Sequence, residues 1–167
     1  MSVLVFVDAN VFLYARDAVE PLKRTRAQEW LSALWVEGRG RTSFQVLNEY
    51  YTNAKRKLGI GPDVAWDDVT ALFAWAPQPV NEQVLLVARE VERRHRLSWW
   101  DSLIVGAAQI QSCRVLLTED LHDGESFGMV RVLNPFLHAV REPVADYLVA
   151  SHTLVHRPRG RPRRAYA

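Results

Sequence analysis

At 167 residues with 49% apolar side chains, the chain has material for one domain with a substantial core, and charged residues at 24% match an ordinary globular composition. Wholesale disorder and two full domains are excluded. The formal charge of +2 hides an asymmetry: residues 157–167 hold five of the 21 basic residues and no acid, so 1–156 is mildly acidic and the pI of about 8.9 reports a tail, not a basic groove.

Cys113 is the only cysteine, which rules out an internal disulfide and a cysteine-built zinc site and favours a reducing compartment. Met1 to Asp8 is too short and too early in reaching an acid for a secretory leader, and no run approaches a membrane span of roughly 18 apolar residues. A cytoplasmic location, away from membranes, is expected.

Val3 to Val7 is a continuous β-branched apolar run ending at Asp8 and reads as a strand buried on both faces, after which the chain turns at once. Lys23 to Glu37 is a helix, with Ala27, Trp30, Leu31, Leu34 and Trp35 at helical spacing and Gly38 to Gly40 ending it. A short extended piece, Arg41 to Ser43, precedes a helix over Phe44 to Leu58 that stops at Gly59-Ile60-Gly61-Pro62. Asp63 to Trp75 and 82–96 are further helices, the latter with Val84, Leu85, Val87, Ala88 and Val91 inward. Ser98-Trp99-Trp100-Asp101 resembles a capping box opening a helix through Cys113, Trp99 and Trp100 being read as core residues rather than as surfaces for stacking a base. Arg114 to Thr118 and Val130 to Leu133 are buried strands. Strands alternating with helices predict an α/β fold with a parallel sheet between helical layers. Beyond about Arg141 the periodicity weakens, and after His156 the composition is Arg, Pro and Gly. The expected division is a domain over 1–140 and an extension with a disordered Arg/Pro-rich tail over 141–167.

Ligands of open parallel sheets bind beyond the carboxyl ends of the strands. Asp8 ends the first strand, Glu119 and Asp120 follow another with Asp123 a loop further on, and Asp101 lies in a helix's first turn. Each also has a purely structural reading. Asp8 with Asn10 suits a turn or helix cap, Asp101 completes a capping box with Ser98, Glu49 lies on the side of its helix away from Leu47, and Glu119, Asp120 and Asp123 suit a polar loop. Their combination is what points to chemistry. Clustered carboxylates resist joint ionisation unless a hard cation sits among them, and Mg²⁺ or Mn²⁺ bound by oxygen ligands suits phosphodiester hydrolysis.

Four stretches, Val5-Phe6-Val7-Asp8-Ala9-Asn10, Gln45-Val46-Leu47-Asn48-Glu49-Tyr50, Ser98-Trp99-Trp100-Asp101-Ser102-Leu103-Ile104 and Leu116-Leu117-Thr118-Glu119-Asp120-Leu121-His122-Asp123-Gly124, with the closing Val132-Leu133-Asn134-Pro135-Phe136, resemble the PIN domain, and in particular VapC-like toxins of bacterial toxin-antitoxin pairs. The resemblance covers about residues 2–137. It implies a three-layer α/β/α sandwich around a parallel five-stranded sheet. It implies Asp8, Glu49, Asp101 and Asp120 as catalytic, metal-binding acids, with Asp123 as rival or helper for the fourth place and Asn10 and Thr118 as groups that orient them. It further implies a Mg²⁺- or Mn²⁺-dependent endoribonuclease, a homodimer, inhibited by a cognate antitoxin. Lys23, Arg24, Arg26 and Lys55-Arg56-Lys57 are candidates for the RNA rim, or else solvated helix ends.

Pro158-Arg159-Gly160-Arg161-Pro162 resembles an AT-hook core, set against the plainer reading of a nonspecific basic tail that could touch nucleic acid. His152 and His156 lack a metalloprotease frame. A haloacid-dehalogenase-like phosphatase would need a second acid at position 10, which is Asn. The remaining alternative is a noncatalytic nucleic-acid-binding protein on the same fold, using the basic tail.

Overall fold

The computed structural model describes residues 2–140. It has five strands and six α-helices in the order β1 (Val5–Val7), α1 (Ala9–Arg16), α2 (Pro21–Glu37), β2 (Gly40–Arg41), α3 (Phe44–Leu58), α4 (Pro62–Ala71), α5 (Glu82–His95), α6 (Trp99–Ile110), β3 (Val115–Leu117), β4 (Ser126–Phe127) and β5 (Val130–Leu133), with a 3₁₀ turn at Leu72–Trp75. The sheet order is β2-β1-β3-β5-β4. Every residue of β1 and β3 is buried, as expected for strands covered by helices on both faces.

The sheet differs from expectation at one edge. β1 runs parallel to β2 and β3, and β3 parallel to β5, but β4 pairs antiparallel with β5. The cause is connection length: β4 and β5 are joined by Gly128 and Met129 alone, which permits a hairpin and forbids a crossover, and Gly128 supplies the positive φ of 60° that such a turn needs.

Local chemistry explains the helix limits. Asp8, Ser43, Asn81 and Ser98 each cap a helix by accepting a backbone N–H. Pro21 and Pro62 sit in first turns, where a missing N–H costs nothing. The immediate turn expected after Asp8 is in fact α1, whose buried Ala9, Val11 and Phe12 join the main core. Core packing is tight around Gly40, where a Cβ would lie 2.5 Å from the Trp75 ring.

Three residues expected inside are partly outside: Trp35 is half exposed, its ring tilted against Trp75, and Leu85 and Trp100 face solvent. Cys113 is buried, and burial pushes its thiol up to about 12, which keeps it protonated and unreactive. No described helix is long and apolar enough to cross a membrane. The 141–167 extension, with its AT-hook-like segment, His152 and His156, lies outside the described residues.

Candidate active site

The chain leaves β1, builds β2 on one side of it, and returns to place β3 on the other, so the strand order reverses at β1. Crevices form outside the carboxyl ends of strands at such reversals. Here Asp8 follows β1, and Thr118, Glu119 and Asp120 follow β3, joined by a hydrogen bond from the Asp8 N–H to the Leu117 carbonyl (3.1 Å). A cleft of about 720 Å³ opens there, lined by Asp8, Asn10, Glu49, Asp101, Glu119 and Asp120 among others. Acids from four distant stretches of the sequence thus share one cavity.

Asp8 sits at the centre of a hydrogen-bonded group. Its Oδ1 accepts the Ala9 N–H at 2.7 Å, and its Oδ2 accepts the Thr118 hydroxyl at 2.8 Å and the Asn10 amide at 3.3 Å. The same Asn10 Nδ2 donates to Thr118 Oγ1 (2.9 Å) and Asp120 Oδ2 (3.0 Å), so one amide bridges the two carboxylates. Thr118 is fully buried and also accepts the Asp120 N–H. Burial pushes the Asp8 carboxyl up to about 7. The bonds from Thr118 and Ala9 oppose this, and the charges of Asp120 and Glu49 add to it.

Glu49 reaches the cleft from α3, where the Gln45 amide donates to its Oε1 at 3.1 Å and to the Trp100 carbonyl at 3.3 Å. Asp101 enters from α6 in two roles at once. Its N–H donates to Ser98 Oγ, completing the cap, while its Oδ2 accepts the Ser98 hydroxyl at 2.6 Å and the residue still lines the cleft. Asp123 is elsewhere. It accepts the Asn134 N–H (2.8 Å) and faces His138 Nε2 (2.9 Å); burial works to raise its carboxyl, but those partners hold it below its ordinary value.

The basic rim is sparser than the sequence suggested. Lys57 lines the cleft, but Lys23 is engaged with Glu119 (2.6 Å) and the Tyr14 hydroxyl (3.1 Å), and Lys55 lies over the Tyr51 ring. Arg16 also reaches the cleft while paired with Asp68, which in turn accepts the Tyr50 hydroxyl. The cleft is therefore lined by six carboxylates against two cations, Arg16 and Lys57. The Lys23–Glu119–Tyr14 group was not anticipated as a unit, because its members lie far apart in sequence and carry no shared motif.

The donors suit a hard divalent cation. They are oxygens, the deepest carboxylate resists ionisation in the absence of a countercharge, and the buried Asn10 Oδ1 has no hydrogen-bond partner. Among the described residues no three His, Cys, Asp or Glu side chains stand as a ready-made cage. A cation here would keep part of its water shell, as Mg²⁺ commonly does.

A profile of the PIN domain matches residues 5–122, a stretch that contains Asp8, Glu49, Asp101 and Asp120. The chain belongs to the PIN domain family. No curated relative matches its sequence. Among solved structures, this PIN domain is similar to a toxin-antitoxin complex from Klebsiella pneumoniae (16% identity, 81% of this chain and 99% of that one, TM-score 0.56). It is also similar to VapC20 of Mycobacterium tuberculosis, a sarcin-ricin loop cleaving toxin (19% identity, 76% and 98%, TM-score 0.53), and to DNA-bound VapBC of Salmonella typhimurium (16% identity, 80% and 99%, TM-score 0.57). At these identities the likeness is one of fold. The PIN fold so identified agrees with the α/β architecture expected from the sequence, apart from the antiparallel edge strand.

Proposed function

We propose that this PIN domain is a metal-dependent endoribonuclease that cleaves RNA phosphodiester bonds, and that it acts as the toxin of a toxin-antitoxin pair. The observation that carries the reading is the convergence of Asp8, Glu49, Asp101 and Asp120 on one cleft at the strand-order reversal. Family membership supports it, as does the likeness to three toxin or toxin-antitoxin structures.

Mg²⁺ or Mn²⁺ held among these four acids would supply a water of lowered pKa and positive charge to stabilise the scissile phosphate and the leaving oxygen. The protein's own part is to hold the acids in place. Asn10 and Thr118 fix the Asp8 and Asp120 carboxylates toward each other, Gln45 steadies Glu49, and the Ser98 hydroxyl fixes the Asp101 carboxylate. Asp120, not Asp123, is the fourth acid of this reading, since only Asp120 faces Asn10. Lys57, with Arg16, is the group placed to meet RNA phosphates at the rim. A cognate antitoxin, a homodimeric state, a cytoplasmic location and nucleic-acid contact by the Arg-rich tail complete the proposal.

The test is RNA cleavage by the purified full chain with Mg²⁺, with Mn²⁺ and with chelator, beside Asp8→Asn and Asp101→Asn. Cleavage that needs the cation and is lost in both variants is the expected result. Binding of RNA without hydrolysis in either cation would instead indicate the noncatalytic binding protein.

A further inference from the structure

The first turn of α6 separates its two tryptophans. Trp99 packs with Val84, Ala88 and Leu103. Trp100, next to the cleft acid Asp101, leaves 65% of its surface in solvent. It borders a depression of about 480 Å³ whose other walls include Phe44, Pro79, Val80 and the amide side chain of Asn48. Phe44 and Val80 are themselves 40% and 50% exposed. This shelf is continuous with the acidic cleft, because Gln45, Glu49 and Trp100 line both. The Gln45 amide spans the junction through its bonds to Glu49 and to the Trp100 carbonyl.

We propose that Trp100, with Phe44 and Pro79, is a stacking platform for an unpaired nucleobase of the RNA whose scissile phosphate lies at the acids. This rests on the ribonuclease reading and specifies the form of its substrate. Three features favour a base as the occupant. Among the described residues the shelf's only charged wall residue is the acid Glu49, so these residues offer no cation there to a phosphate. Its lining includes the rings of Trp100, Phe44 and Pro79, with Phe44 braced against Phe73, and aromatic rings stack on bases whatever their identity. Asn48 presents an amide that can both donate to and accept from a base edge, and Gln45, whose N–H groups are taken by Glu49 and the Trp100 carbonyl, keeps its side-chain oxygen as an acceptor. An RNA held this way must have a base free to leave its stack, so single strands and loops are bound and cut in preference to duplex.

The experiment uses the full chain carrying Asp8→Asn to block turnover, titrated in Mg²⁺ with a short single-stranded oligoadenylate and with its blunt duplex. Binding of the single strand is expected to quench tryptophan fluorescence and to be the tighter of the two. Adding Trp100→Leu should weaken single-strand affinity roughly tenfold and abolish most of the quench, while Trp100→Phe keeps most of the affinity. The dependence of affinity on salt should be unchanged, since no phosphate contact is removed. Equal affinity and quench with Leu at this position overturns the platform, as does absence of oligoadenylate binding by the parent. So does dissociation of a dimer by Trp100→Leu in sedimentation, which would give the shelf to a second copy of the chain. Failure of the unsubstituted protein to cleave RNA in Mg²⁺ or Mn²⁺ refutes the ribonuclease reading instead. Cleavage that Trp100→Leu leaves equally selective for single strands refutes the platform alone.

Discussion

Replacing Asp8 with Asn removes a charge that the fold holds at a cost. The carboxyl is pushed from its ordinary 3.8 up to about 7, chiefly by burial, so the folded protein keeps a proton there that the unfolded chain has already lost. Between about pH 4 and about pH 7 the folded state therefore binds more protons than the unfolded state, and stability falls as pH rises through that window; above it both states are ionised and the loss is constant. A displacement of this size corresponds to at most about 4 kcal/mol. Because the cleft is open to water, about half of that is expected to survive. Asn keeps the cap on α1, since its side-chain oxygen can still accept the Ala9 N–H. Urea denaturation followed by tryptophan fluorescence, in chelator, should thus find Asp8→Asn more stable than the parent by about 2 kcal/mol near pH 8, and the two nearly equal near pH 4. Millimolar Mg²⁺ or Mn²⁺ should close the gap by stabilising the parent only. Superimposable curves at both pH values, or a parent more stable than the variant near pH 8, would refute the view that the fold holds the ionised Asp8 at a cost its hydrogen bonds only partly offset.

Asn10→Ala should lower both Mn²⁺ affinity by calorimetry and RNA cleavage by roughly 10–100-fold, because the single amide that orders Asp8 and Asp120 is gone. Asp120→Asn should suppress cleavage, whereas Asp123→Asn should leave the rate within about twofold and act only on the Asn134 segment it holds; equal losses in the two would contradict the placement of the fourth acid. Gly40→Ala should cost about 1–3 kcal/mol in urea denaturation with cleavage per folded molecule unchanged, because the new methyl group meets a buried indole whose packing leaves it little room to move.

How much of this could be read from the sequence depends on how local the signal was. Val5–Val7 and Val115–Leu117 announce themselves by continuous apolar runs and Val130–Leu133 by apolar residues on either side of Arg131, and the helix over Phe44–Leu58 is legible to the residue from its apolar repeat and the glycine that closes it. α1 was missed because eight residues with a mixed pattern look like a turn after Asp8. β4 was missed because two residues carry no period at all. Glu49 shows a limit of another kind. The cleft is itself wet, so the periodicity that set Glu49 apart from Leu47 describes a cleft wall and a solvated face equally well; only the resemblance to the PIN domain separated the two. Trp99 and Trp100 show a related limit: α6 is buried on all sides from Ser102 to Ala108, but in its first turn only Trp99 is covered by a neighbouring element, and the local sequence does not say where that cover begins. The cap reading and the site reading of Asp101 were posed as alternatives, and the geometry lets one residue meet both.

Both borders of the sheet are two-residue strands, β2 on one side and the reversed β4 on the other. Each presents too few free backbone groups to template the growth of a ribbon from chain to chain, and the change of direction at β4 means that a newcomer there meets a strand running against the rest. Within the described residues, pairing of sheets edge to edge between copies of this protein is therefore disfavoured, which protects the hydrogen-bonded framework that carries the acids.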